Sequence, residues 1–298
     1  MLDLGLEGRT VLVTGATGAL GSAAARAFAE QGARVALAFR HRREAAEALA
    51  AELSGPERGR AFAVPYALDD AASPRWVVAA VEQHWGGLDV LVAAARRRGA
   101  RREPHARFED VPEEHWRPLV ADSFAPAIRT AQWAVAGMRK RGWGRIALMA
   151  PPYAPEGDPG GEFHAVARAG LRGLVRGLVD ELGGDGVLIN AVCPGPTSPD
   201  RSPTTPYRPP TSPDRSPTTP YRPPMSSDRP PAMADRPPTS PDRPPAASDR
   251  PSTSADRPPT AAEGPMTTPE DIARALVFLC SAANGAITGE TLTLAGRR

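Results

Sequence analysis

The sequence predicts an α/β fold of the doubly wound kind, seven parallel strands with helices on both faces, and three observations predict it. Short apolar or β-branched runs alternate along the chain with longer runs of helical periodicity, the pattern of successive βαβ units. The first such run ends in Thr14-Gly15-Ala16-Thr17-Gly18-Ala19-Leu20-Gly21 and leads into an alanine-rich helical stretch. A glycine turn between a strand and a helix lets the backbone approach a pyrophosphate while the helix N-terminus faces its charge. Outside one proline-rich stretch about 230 residues remain, enough for a single domain with a sizeable core. A Rossmann-type dinucleotide-binding domain is the expectation, with Gly15, Thr17, Gly18, Leu20 and Gly21 meeting the cofactor.

Strands are predicted at Thr10 to Thr14, Arg34 to Phe39, Ala61 to Val64, Leu88 to Ala93, Arg145 to Met149, Val187 to Val192 and Thr291 to Leu294. Helices are predicted between them at Ala19 to Gln31, Arg42 to Leu53, Pro74 to Trp85, Pro112 to Arg141, Glu162 to Leu182 and Pro269 to Ala282. The last opens with Thr268-Pro269-Glu270-Asp271, a cap, a proline at the first helical position and acids at the positive dipole end. Right-handed crossovers place the carboxyl ends of the strands on one edge, where ligands bind.

The chain therefore divides into 1–196, a tract at 197–263 and a closing segment at 264–298. Residues 197–210 and 211–224 are identical copies, and arginine recurs every seventh residue from Arg201 to Arg257. Twenty prolines in the tract favour an extended, disordered insertion over a packed one. Pro203 to Arg208 and the copy at Pro217 to Arg222 also fit a proline-rich ligand motif with a terminal basic residue, so an interaction scaffold is a second reading of the tract.

The formal net charge is only +2, which excludes a broad nucleic-acid surface. The run Arg96, Arg97, Arg98, Arg101, Arg102 reads either as a solvated charge run or as a phosphate grip. Two widely separated cysteines, Cys193 and Cys280, argue against a disulfide scaffold and for a reducing compartment. No apolar run is long enough to span a bilayer and the start lacks a leader pattern, so a cytoplasmic protein without a membrane partner is expected. The five histidines lack metal-ligand spacing, and no metal site is predicted.

After the second strand the chain reads Phe39-Arg40-His41-Arg42-Arg43, without an acid to meet the adenosine 2′-hydroxyl. Arginine there suits a 2′-phosphate, so NADP(H) is preferred over NAD(H), with Arg40 as its anchor. An ordinary basic helix start is the competing reading.

Here the residues resemble a family. The glycine turn, the runs Gly86 to Val92, Phe108 to Trp116, Gly142 to Ile146 and Asn190 to Pro196, and the two closing stretches Thr268 to Leu279 and Ile287 to Leu292 look like a short-chain dehydrogenase/reductase, nearest to the 3-oxoacyl-carrier-protein reductase type. The resemblance implies the strand order 3-2-1-4-5-6-7, homo- or hetero-oligomers through the two long central helices, and Pro194-Gly195 beside the nicotinamide. Asn190 is retained and joins that set.

The resemblance also implies a Tyr that protonates the carbonyl, a Lys four residues on that lowers its pKa and holds the nicotinamide ribose, a Ser that polarises the carbonyl, and an Asn in a water relay. Counting from Gly142 to Ile146 puts Pro151 in the Ser position, His164 in the Tyr position and Arg168 in the Lys position. Counting from Trp116 puts Ser123 in the Asn position. Proline offers no donor. Histidine is an admissible acid, with a reference pKa near 6.5, although its ring is shorter and a nearby arginine favours its neutral form. Tyr153 is an unaligned candidate acid. The cradle is altered too: Ala93-Ala94-Ala95-Arg96 replaces Asn-Asn-Ala-Gly, Ala67 replaces an adenine-contacting Asp, and Ala19 stands where the family has its second glycine, with Gly18 one place earlier.

Three functions follow from the sequence: an atypical NADP(H)-dependent carbonyl reductase acting on a small-molecule carbonyl through His164 and Arg168; a catalytically silent member of the family acting as a cofactor-binding regulator or inactive oligomer partner; or an interaction scaffold through the proline-rich tract.

Overall fold

In a computed structural model, residues 3–55, 59–97, 106–151, 160–195 and 267–294 are described. The readings made on Arg98, Arg101, Arg102, Tyr153, Pro196 and the proline-rich tract lie outside the described residues. Each of the predicted strands forms: β1 (Thr10–Thr14), β2 (Arg34–Phe39), β3 (Ala61–Pro65), β4 (Val90–Ala93), β5 (Gly144–Met149), β6 (Val187–Pro194) and β7 (Thr291–Leu294). They pair in one parallel sheet of order β3-β2-β1-β4-β5-β6-β7.

Alternation along the strands divides the core in two. Leu12, Leu91, Ile146 and Leu148 face a cluster closed by α3 (Ser73–Trp85), α4 (Glu113–Arg141) and α5 (Glu162–Gly177). Val11, Val13, Val35, Val90, Val92 and Met149 face a second cluster closed by α1 (Ala19–Glu30), α2 (Arg43–Ser54) and α7 (Pro269–Leu279). A sheet buried on both faces explains why its strands read as near-continuous apolar runs.

Helix α7 begins at the predicted signal. Thr268 accepts from the Asp271 N–H and the Asp271 carboxylate accepts from the Thr268 N–H, a complete capping box. The Thr268 hydroxyl and backbone, with Arg274, hold the Asp271 carboxyl down at about 2.

Three of the differences from the sequence reading have a visible tertiary or local cause. The run expected from Glu162 to Leu182 is two helices, α5 and α6 (Val179–Gly183), parted at Leu178. Gly177 offers no side chain to carry the helix on, and Gly289 of the loop before β7 packs against Val179. Helix α7 stops at Leu279, because the Ala282 N–H turns away to the Leu4 carbonyl (2.8 Å). Strand β4 starts at Val90, since Asp89 is used in a brace: its carboxylate accepts from the Thr10 N–H and its carbonyl from the Arg145 N–H.

At that same edge, Arg145, the second residue of β5, is 6% exposed. It donates to the carbonyls of Gly144, Gly186, Ser281 and Asn284 and lies against the Trp143 ring, with Arg9 also over that ring. This fastens the loop after α7 to the start of β5, at the edge opposite the carboxyl ends of the strands. Among the described residues no helix is long and apolar enough to cross a membrane, and no cluster of His, Cys, Asp or Glu is placed to hold a metal.

Candidate active site

The carboxyl ends of β1, β2 and β4 border a cleft of about 660 Å³, within the usual size for a cofactor site. Its near wall is the turn from Gly15 to Gly21; Phe39 to Arg42, Tyr66 and Leu68 form one side, Ala94 to Arg97 the other, and Pro194 and Pro269 close it.

The three glycines of the turn are there for different reasons. Gly15 has φ +70°, and a Cβ on it would come within 3.0 Å of the Ala95 backbone, so the turn is left-handed and tight. A Cβ on Gly21 would drive into the Gly15 carbonyl oxygen. Gly18 is the N-cap of α1 with φ −85°, and the nearest atom to a Cβ there is the Gly15 oxygen at 3.4 Å. The protein therefore leaves room for a side chain at Gly18, and a ligand lying close to the turn is what a side chain there would obstruct. No side chain caps α1. The first-turn N–H groups of Ala19, Leu20 and Gly21 face the cleft without a backbone partner among the described residues, the arrangement that binds phosphate. The residues present fit the pyrophosphate of a dinucleotide.

Arg40 lies in the wall beyond β2 and pairs with Asp69 at 2.5 Å. Asp69 lies two residues beyond Ala67, the position the sequence marks beside adenine. Arg42, a helix start by sequence, has a second role. Arg42 is the N-cap of α2, but its guanidinium reaches across to the Thr17 carbonyl and lines the cleft. The signal was in the sequence, since a basic residue two places after Arg40 sits at the same strand end.

The retained family residues divide. Pro194 lines the cleft, and the Gly195 N–H is spent on the Leu294 carbonyl (2.7 Å). Asn190 does not reach the cleft. It is 1% exposed, donates to the Ile287 carbonyl (2.8 Å) and accepts from the Glu290 N–H (3.0 Å), so its amide bolts β6 to the loop before β7. That corrects its placement among cofactor contacts: both ends of a buried amide are already used.

At the chemistry end, Ser123 is 5% exposed and its hydroxyl donates to the Leu119 carbonyl one turn back in α4. This local bond is the common fate of a mid-helix serine, and it leaves the hydroxyl proton committed to the helix. His164 and Arg168 are both half-buried and lie one turn apart on the first half of α5, so they share a face. Burial pushes the Cys193 thiol above its ordinary pKa while the charge of Arg168 pulls it down. The Cys193 thiol donates to the Pro151 carbonyl (3.3 Å), which ties the residue in the Ser position to the end of β6. Phe163 stacks between Trp116 (5.7 Å) and Phe108 (6.1 Å), giving the start of α5 an aromatic support.

Residues 9–206 match the family model described as short chain dehydrogenase. Among curated proteins, a D-beta-hydroxybutyrate dehydrogenase of Rhizobium meliloti is 28% identical over 187 residues, 63% of this chain and 70% of that protein. A D-threitol dehydrogenase of Mycolicibacterium smegmatis is 35% identical over 194 residues, 64% and 71% of the two chains. A 3-oxoacyl-(acyl-carrier-protein) reductase of Vibrio cholerae is 29% identical over 192 residues, 64% and 75%. A solved structure described as a short chain dehydrogenase/reductase family protein superposes with a TM-score of 0.66 at 27% identity, covering 99% of this chain and 98% of that one.

Proposed function

The chain belongs to the short chain dehydrogenase family, and from that premise we propose that it binds NADP(H) and reduces a carbonyl group with His164 and Arg168 in place of tyrosine and lysine. The observation that carries the cofactor reading is the uncapped start of α1 beside Gly18, with Arg40 and Arg42 in the wall beyond β2. Arg40 would hold the 2′-phosphate in exchange for Asp69, and Arg42 would hold the turn from above. Charge-assisted, bidentate contacts of this kind are the strong ones in such a wall.

When bound, NADPH supplies hydride to the carbonyl carbon. The chain's own part is to give a proton to the carbonyl oxygen, a role that falls to His164 in this reading, with Arg168 one turn on to meet the ribose. Turnover with a panel of ketones and 3-oxoacyl thioesters, lost in His164→Phe with NADPH affinity retained, is the expected result.

A second reading, a catalytically silent cofactor-binding member, is favoured by two observations. Pro151 has no donor to give, and the hydroxyl proton of Ser123 is committed to Leu119. NADPH oxidation at background in a wild-type protein that binds NADPH selects this reading over the first.

The groove between α4 and α5, lined by Ile128, Ala131, Val135, Leu174 and Leu178, is the face on which we place a second subunit. Val135→Arg is expected to shift the protein to monomers in sedimentation; an unchanged state refutes this contact. Both thiols are free and buried, which supports a reducing, cytoplasmic setting.

A further inference from the structure

Arg96 and Arg97 have no part in the cradle described above, yet both line the cleft. Arg40 and Arg42 follow β2, and Arg96 and Arg97 follow β4, on the opposite flank of β1. At a strand spacing of about 4.8 Å the two basic pairs stand roughly 10 Å apart across the turn. The second pair is therefore on a separate flank from the one assigned to the 2′-phosphate.

The Arg96–Arg97 side is the one toward the candidate chemistry. Its backbone is fixed where Ala95 packs against Gly15 and donates to the Thr14 hydroxyl (3.1 Å). Arg97 Nε donates to Asp122 at 2.5 Å, and Asp122 is the residue before Ser123 on α4. That bond sets the plane of the guanidinium while 41% of the side chain remains exposed. Among the described residues, no Asp or Glu lines the cleft. Two adjacent arginines in the wall of a cleft without lining acids concentrate anions there.

We infer that this end of the cleft is an anion subsite and that the substrate is a carbonyl compound bearing a carboxylate or a phosphate monoester, held by the fork of Arg97 with Arg96 beside it. Asp122 is a positioning residue: it accepts from Nε, and the terminal nitrogens are the ones we assign to the substrate oxyanion. The inference rests on the proposed reductase reading, since it names the substrate class of that site.

Calorimetric titration of the full-length chain, with and without NADPH, tests it with two matched pairs: acetoacetate against its neutral methyl ester, and dihydroxyacetone phosphate against dihydroxyacetone. One anion is expected to bind at least about tenfold more tightly than its neutral partner, and which pair shows the preference identifies the head group. Arg97→Gln is expected to remove the preference. Arg97→Lys keeps the charge without the fork and is expected to retain only part of it. Equal binding within both pairs, no binding of any of the four, or a preference unchanged in Arg97→Gln overturns the subsite. The two readings fail separately: a preference that persists in a wild-type chain unable to bind NADPH refutes the reductase and keeps the subsite, whereas NADPH binding without a preference refutes the subsite alone.

Discussion

Gly18→Ala is expected to weaken NADPH binding by roughly ten- to hundredfold while the protein unfolds at nearly the wild-type temperature. The added methyl meets only the Gly15 oxygen, at 3.4 Å, so the free protein accommodates it with at most the small cost of replacing glycine at an N-cap. A pyrophosphate drawn onto the N–H groups of Ala19, Leu20 and Gly21 would lie against that methyl. Forcing one extra methyl into close contact costs about 1–3 kcal/mol, which is the stated change in Kd. Gly21→Ala provides the contrast. Its methyl would run into the Gly15 carbonyl, so stability falls along with binding. If Gly18→Ala binds NADPH as the wild type does, the pyrophosphate does not lie on this turn.

The second large effect concerns the opposite edge of the sheet. Arg145→Met is expected to destabilise the protein by about 3–5 kcal/mol, because several buried carbonyls lose their donor at once. The residue is 6% exposed and its side chain donates to four carbonyls, and no carboxylate among the described residues pairs with it. Burial lowers its pKa from the ordinary arginine value, and the Arg9 cation adds to that effect against the Cys280 thiol. Methionine of similar length fills the space but satisfies none of the carbonyls, each of which costs about 1–3 kcal/mol when left unpaired in the interior. Denaturant unfolding monitored by circular dichroism reads the loss directly; a change below about 1 kcal/mol would mean that water replaces the guanidinium.

The fold was legible because a parallel sheet buried on both faces writes its strands as apolar runs, and each of the seven lies within two residues of its expected place. Boundaries moved where a tertiary bond intervened: Asp89 braces the start of β4, Leu4 captures the end of α7, and Gly289 presses on Val179 where α5 gives way to α6. None of these contacts has a local signature.

The site was legible in part. The glycine turn, Arg40 and Pro194 all line the cleft, since a strand end fixes the residues that follow it. Asn190 misled, because residue identity says nothing about whether an amide points to a cleft or bolts two strands together. Arg97 was visible as charge and ambiguous as function, since its partner Asp122 lies 25 residues away. The replacement of the tetrad was readable by counting. Its consequence, a serine hydroxyl turned back on its own helix at Leu119, required the structure.

The most direct test of the account is calorimetric titration of the wild-type protein with NADPH and with NADH, repeated on Arg40→Ala. The account predicts that NADPH binds at least about tenfold more tightly than NADH, as a charged hydrogen-bonded contact to one phosphate implies, and that Arg40→Ala removes this difference by weakening NADPH alone. Equal affinity for the two dinucleotides, or no binding of either, would contradict it.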